Sequence, residues 1–206
     1  MDTPTLVVVT VSAVVGYVIG GIPWGVVVAR IMGGPDPRTV GSGRTGGANV
    51  LRALGPRAAA LAGLLDVLKG VVAVAVAIAL GGNVSAQVVA ALAAILGHSR
   101  SPFIGFSGGR GVAPGFGGLI MIQPFVALII VPVFAAVLLL TRYSSLASLI
   151  ASATAGVATA AIALAFDQSV AYLAYAAAAA AMIWLFHIDN IQRLLSGQER
   201  RIDWRR

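Results

Sequence analysis

Two stretches of this chain collect the residue types that hold small anions. The first, VGSGRTGGANVLRALG over residues 40–55, sets Ser42, Gly43, Arg44, Asn49 and Arg52 among glycines. The second, GHSRSPFIGFSGGRGVAPG over 97–115, repeats that chemistry with His98, Ser107, Gly108, Gly109 and Arg110. Glycine lets successive backbone N–H groups converge on one anion, and such nests cradle phosphate. Arginine adds bidentate, charge-assisted bonds to phosphate oxygens. From Asn49 onward the first stretch reads as a helix, whose N-terminus adds a favourable dipole end. Turns need glycine and membrane loops collect arginine, but neither accounts for two loops of the same make. The expectation is phosphate or carboxylate binding, although neither loop has the spacing of a nucleotide P-loop.

Other polar residues stand within apolar sequence. Asp66 and Lys69 are three apart in LLDVLKG and can pair on one helical face. Such intramembrane charges line a bundle interior, either in function or as a structural ion pair. Ser145, Ser148 and Ser152 recur at three and four residues, a stripe that more often permits close helix packing than ligand binding. His98 opens the second loop, and His187 precedes IDNIQRLLSG. Each suits an interfacial anchor, and one of them suits an acid–base group.

The elements that must position these residues are membrane helices. The 206 residues are 59% hydrophobic and 10% charged, against about 25% charged in soluble domains. Seven apolar segments follow one another, at about 5–31, 58–80, 85–97, 112–122, 125–141, 146–166 and 169–187. A full span takes roughly 20 apolar residues, so the third and fourth are short. The first has Asp2 where a signal peptide would be basic, and it reads as a retained helix. The predicted fold class is therefore an all-α integral membrane bundle, a single polytopic domain over 1–206. Cysteine is absent, which excludes disulfide, Fe–S and thiolate–zinc frameworks.

The arginines set the orientation. Arg30, Arg38, Arg44, Arg52 and Arg57 lie around the first connection, Arg100 and Arg110 in the third, and Arg142 in the fifth. Arg193, Arg200, Arg201, Arg205 and Arg206 crowd the tail, while GGNVSAQ, IQP and FDQS carry no lysine or arginine. Cytoplasmic loops collect these cations, so the N-terminus is expected outside and the C-terminus inside. Both glycine-rich loops then face the cytoplasm. The net charge of +7 is thereby explained by the membrane, and no nucleic acid is called for.

These motifs, in this order, resemble the membrane acyl-phosphate:glycerol-3-phosphate acyltransferases of bacteria, the PlsY family. The likeness runs from GGIPWGVVVARIMGGPDPRTVGSGRTGGANVLRALG through DVLKG, GHSRSPFIGFSGGRGVAPG and RYSSLASLIAS to FHIDNIQRLLSGQER. It implies seven transmembrane helices and transfer of a fatty acyl group from acyl phosphate to the 1-hydroxyl of glycerol 3-phosphate. It also implies a cell-membrane location and lysophosphatidic acid and phosphate as products. Carried over by position, Ser42, Gly43 and Asn49 fall on the family's phosphate-binding stretch, with Arg52 beyond it. His98 opens the second motif, and Arg110 stands where relatives have the lysine of Gly-Gly-Lys-Gly. Ser145 matches a polar residue of the third motif, and His187 and Asn190 match the His and Asn before the C-terminal helix.

Departures from the family pattern bear on the substrates. Arg44 and Ala48 replace an asparagine and a threonine of the first loop, and Ser107 and Pro114 replace a lysine and a threonine of the second. One cation is thus lost at Ser107 and one gained at Arg44, with Lys and Arg not geometrically equivalent. An acyl phosphate is already activated, so positioning and electrostatics suffice without a covalent nucleophile. On this expectation His98, Arg110 and Ser145 are catalytic, with His98 or a substrate phosphate oxygen taking the hydroxyl proton. Ser42, Gly43, Arg44, Asn49, Arg52, Ser107, Gly108, Gly109, His187 and Asn190 bind substrate. No cofactor or metal is expected, and the chain is expected to be monomeric among membrane lipids. The alternatives are a paralogue acylating another phosphorylated alcohol, favoured by Arg44 and Ser107, and a small-anion or lipid transporter.

Overall fold

The structure is a computed structural model and describes residues 2–203; Arg205 and Arg206 of the basic tail lie outside them. The described residues form helices joined by loops, and the chain divides into two compact units at Gly118 and Leu119. Four helical runs are long and apolar enough to cross a membrane: Thr3–Ile31, Pro56–Ala79, Pro124–Thr141 and Ser144–Ala165. Val170–Phe186 makes a fifth when taken with Ile188–Leu195 across a 63° bend. Every apolar segment read from the sequence falls on a helix.

In the first unit, α1 (Thr3–Gly21) begins at Asp2, whose carboxylate accepts the N–H of Thr5 at 3.2 Å. Thr3 is followed at once by Pro4, which has no N–H to leave unsatisfied in a first turn. The predicted 5–31 helix does not run straight through. It ends at Gly21 and restarts as α2 (Trp24–Ile31), because Pro23 has no N–H to donate and its ring obstructs the preceding turn. The carbonyls of Gly21 and Ile22, freed at this break, turn to side chains from later in the chain. Ser101 Oγ donates to Gly21 O at 2.6 Å and Lys69 Nζ to Ile22 O at 2.9 Å. Membrane-embedded breaks of this kind persist only where the protein re-satisfies the backbone.

Two further helices complete the platform under the first loop. α3 (Gly47–Leu54) is short and ends at Gly55, whose φ of 85° suits glycine; α4 (Pro56–Ala79) follows with Pro56 in its first turn. Val28, Val50, Ala58 and Ala62 bury together, with Leu54, Ala59 and Leu65 packed against them. This close packing of small and branched side chains fixes how α2, α3 and α4 meet.

α5 (Val84–Ser99) is capped by Asn83, which accepts the Ala86 N–H at 3.1 Å. It packs on α1 through small residues. A Cβ on Gly20 would stand 2.5 Å from Ala94 Cα, and one on Gly97 would strike the carbonyl of Tyr17. Close backbone approach substitutes here for the hydrophobic drive that lipid cannot supply. The same device joins α4 to α6 (Val112–Ile122), where Cβ atoms on Gly70 and Gly117 would strike the carbonyls of Pro114 and Val67.

The second unit packs α7 (Pro124–Thr141) on α8 (Ser144–Ala165), and α8 on α9 (Val170–Phe186). A short amphipathic helix, α10 (Ile188–Leu195), follows. Arg142 closes α7 in the left-handed region, φ 64°, and bonds to the tail: the Ile202 N–H donates to its carbonyl at 2.7 Å. Ser148 and Ser152 donate back to carbonyls of their own helix, Ser144 O at 2.8 Å and Leu149 O at 3.0 Å. Both are buried. The packing reading of that stripe holds for these two and not for Ser145, whose hydroxyl leaves the helix.

Candidate phosphate site

The first loop is shaped by one side chain. Asn49, 2% exposed, sits in the first turn of α3. Its Nδ2 donates to the carbonyls of Pro37, Val40 and Arg44 at 2.6, 3.0 and 2.8 Å, and its Oδ1 accepts the N–H of Ser42 at 3.0 Å. Asn49 is therefore the organiser of the loop it was expected to serve as a ligand residue. Gly41 and Gly43, at φ 58° and 68°, let the chain curl around it, and a Cβ on Gly41 would strike Asn49 Oδ1. The loop's entry is set by Asp36, which accepts from Arg38 N at 2.9 Å and pairs with the Arg38 guanidinium at 2.6 Å. That guanidinium holds the Asp36 carboxyl below the usual carboxylate range.

What the loop presents is Ser42, Arg44 and Arg52. The Ser42 hydroxyl oxygen is buried and has no hydrogen-bond partner among the described residues. A buried hydroxyl without a partner costs roughly 1–3 kcal/mol, a cost that a bound oxygen would relieve. Arg52 lies half-buried on α3 and donates to Ala48 O at 3.2 Å.

The second loop is a tight antiparallel return. Ser101 N donates to Ser107 O at 3.2 Å and Gly109 N to His98 O at 3.0 Å. Gly109 thus has its N–H committed to the protein, a limit on its expected part in anion binding. Ser107 is exposed and its hydroxyl donates to Ile104 O at 2.8 Å. Gly105 and Phe106 both lie at positive φ, 69° and 55°, and turn the chain back. Gly108 and Gly109 must be glycine for space: a Cβ on Gly108 would strike His98 O, and one on Gly109 would strike His98 Nε2. Arg110 follows, half-buried, and Gly111 at φ 80° leads into α6.

His98 is not at the surface. It is 5% exposed, with Nδ1 2.8 Å from Lys69 Nζ. The Asp66–Lys69 pair expected from spacing is present at 2.8 Å and buried. That His98 joins it, from a residue 29 positions away, no local pattern reveals.

The second unit holds its own polar cluster. Glu199 accepts from Ser145 Oγ at 3.0 Å and Asn190 Nδ2 at 2.8 Å through one oxygen, and from Arg193 Nε at 2.8 Å through the other. His187 Nδ1 lies 2.7 Å from Ile183 O, so Nδ1 carries a hydrogen and donates. Glu199 is a residue that sequence reasoning missed. The available signal was one acid amid Arg193, Arg200 and Arg201, a charge that a basic tail has reason to keep only as a hub.

An all-helical chain with spans long and apolar enough to cross a membrane, and with two glycine- and arginine-rich loops, defines the class: an integral membrane protein. The model of the glycerol-3-phosphate acyltransferase family matches residues 10–197, and the chain belongs to that family. It is 42% identical over 191 residues to a glycerol-3-phosphate acyltransferase of Thermus thermophilus, covering 93% of this chain and 94% of the relative. The enzyme of Shewanella halifaxensis is 41% identical over 199 residues, covering 96% and 97%. Among solved structures, the glycerol 3-phosphate form of PlsY (YgiH), an integral membrane glycerol 3-phosphate acyltransferase, superposes with a TM-score of 0.85 at 36% identity. It covers 95% of this chain and 96% of that one. A lysophosphatidic acid form of the same protein gives 0.84 at 34%.

Proposed function

We propose that this acyltransferase moves a fatty acyl group from an acyl phosphate to the 1-hydroxyl of glycerol 3-phosphate. The hydroxyl oxygen attacks the acyl carbon, the bond from that carbon to the phosphate oxygen breaks, and phosphate leaves with the electron pair. The hydroxyl proton passes to a phosphate oxygen or a protein base, and the products are lysophosphatidic acid and inorganic phosphate. No enzyme-bound acyl intermediate is needed, because the mixed anhydride carries its own activation. The observation that supports this reading best is the first loop, which Asn49 holds so that the unpartnered Ser42 hydroxyl stands between Arg44 and Arg52 on one side and Arg38 on the other in sequence. Two substrates bearing phosphate suit two basic loops in the first unit, where positioning and electrostatics dominate. On this reading Ser145 is catalytic and His187 and Asn190 bind substrate.

This reading includes seven spans in one polytopic domain, an outward N-terminus, cytoplasmic loops and a monomer in the cell membrane. It calls for no cofactor. The presence of Arg44 and Ser107, in place of residues usual in the family, favours a second acceptor as the runner-up: another phosphorylated alcohol.

The test uses purified protein in nanodiscs with palmitoyl phosphate and radiolabelled glycerol 3-phosphate. Labelled lysophosphatidic acid in step with phosphate release, lost in Arg52→Ala and Arg110→Ala, is the expected result. Phosphate release that depends on a different phosphorylated alcohol would replace the acceptor. No release with any acceptor would overturn acyl transfer.

A further inference from the structure

Beneath the second loop lies a buried polar cluster that the reaction as written leaves without a task. Lys69 Nζ has three neighbours: Asp66 Oδ1 at 2.8 Å, Ile22 O at 2.9 Å and His98 Nδ1 at 2.8 Å. An ammonium has N–H donors and no lone pair; Ile22 O accepts one of them, and Asp66 neutralises the charge as an ion pair without taking a hydrogen bond on Oδ1. The ring nitrogen facing it must then supply a lone pair, so His98 carries its hydrogen on Nε2. Asp66 Oδ1 lies 3.5 Å from Nδ1, nearer to Lys69, and so leaves that assignment in place. Nε2 in turn fills the space that a Cβ on Gly109 would occupy, directly under the turn.

A second donor flanks it. Ser99 is 1% exposed, and its hydroxyl has no hydrogen-bond partner among the described residues. Its Oγ lies 3.4 Å from where a Cβ on Gly111 would stand. The two groups therefore underlie the two ends of Gly109–Gly111, with Arg110 between them.

From this geometry we infer that His98 donates a hydrogen bond, through Nε2–H, to a phosphate oxygen held at the Gly108–Gly111 turn, with the Ser99 hydroxyl as a second donor. Asp66 and Lys69 are positioning residues: they fix the His98 tautomer and tie it to the α1–α2 break through Ile22 O. A general base must offer its lone pair to the substrate, and His98 gives its lone pair to Lys69. The inference rests on the acyl-transfer reading only for the identity of the phosphate.

The chain has two histidines, which makes the tautomer directly observable. Tag-free protein labelled with 15N-histidine, in nanodiscs, is read by two-bond 1H–15N correlation, with His187→Gln to assign the peaks. His98 is expected to show a bare Nδ1 and a protonated Nε2, and inorganic phosphate or glycerol 3-phosphate is expected to move Nε2. A protonated Nδ1, or an Nε2 that neither phosphate moves, would overturn the inference. In Lys69→Met the tautomer is expected to become mixed; should that variant not fold, the wild-type spectrum and Ser99→Ala decide.

Turnover gives a second arm. His98→Ala is expected to lose about a hundredfold, in the range of a lost oxyanion donor. His98→Gln keeps a side-chain N–H and is expected to recover at least about a tenth of wild-type turnover, with the acid limb of the pH–rate profile unchanged. Equal loss in both variants with disappearance of that limb would make His98 a base. The spectrum needs no turnover, so a phosphate response without lysophosphatidic acid would retain the donor and discard the substrate assignment.

Discussion

At the scale of single residues, the first loop separates groups that build the site from groups that would meet substrate. Asn49 binds three carbonyls and one N–H of the loop. Asn49→Leu keeps the volume and removes all four bonds, leaving groups that cost about 1–3 kcal/mol each where they stay buried. It is expected to lower the thermal midpoint in detergent and to raise KM for glycerol 3-phosphate at least about tenfold. Ser42 differs, since its hydroxyl bonds nothing in the protein among the described residues. Ser42→Ala should leave the thermal midpoint unchanged or raise it, while KM for the acceptor rises. This is the opposition of stability and activity found at functional sites. A Ser42→Ala enzyme with unaltered KM and kcat would remove that hydroxyl from the site.

At the scale of elements, long apolar runs were sufficient to place helices at every predicted segment, though not the break in 5–31, because a bilayer demands long apolar segments whatever their neighbours. Breaks and ties were less legible. Pro23 marks the end of α1 in the sequence, but the partners that make the break tolerable, Ser101 and Lys69, lie 80 and 47 residues away. The glycine-rich loops announced themselves by composition; Glu199 and the His98–Lys69 contact depend on tertiary placement that no local spacing encodes. Small-residue seams carry a prediction here. Gly97 ends the α1–α5 seam one residue before His98, and a side chain there would strike Tyr17 O. Gly97→Val should push the end of α5 off α1, with an overpacking cost of about 1–3 kcal/mol. Because His98 and Ser101 ride on that end, turnover is expected to fall further than the thermal midpoint alone predicts. A variant that loses stability but keeps full turnover per folded molecule would show that the seam does not position the loop.

At the scale of the whole molecule, charge asymmetry is the remaining source of order. Lysine and arginine gather at alternate connections, and the intervening ones have none, the distribution that retains loops in the cytoplasm. On the proposed reaction both substrates are anions, so the arginine-bearing loops are the ones that would attract them. At ordinary ionic strength this attraction extends only about 8–10 Å, and it therefore supports capture at the loops more than long-range steering. Orientation is directly testable because the chain has no cysteine. Arg57→Cys, exposed beside the first loop, and Asp167→Cys, exposed in the α8–α9 connection, each introduce a single thiol. With a membrane-impermeant maleimide on intact spheroplasts, Asp167→Cys is expected to label at once and Arg57→Cys only after permeabilisation. The reverse pattern would turn the molecule over, and the arginines would then need a reason other than cytoplasmic retention. Raising salt is expected to raise KM for glycerol 3-phosphate while leaving kcat nearly unchanged, since screening weakens capture before it weakens contacts inside a half-buried loop.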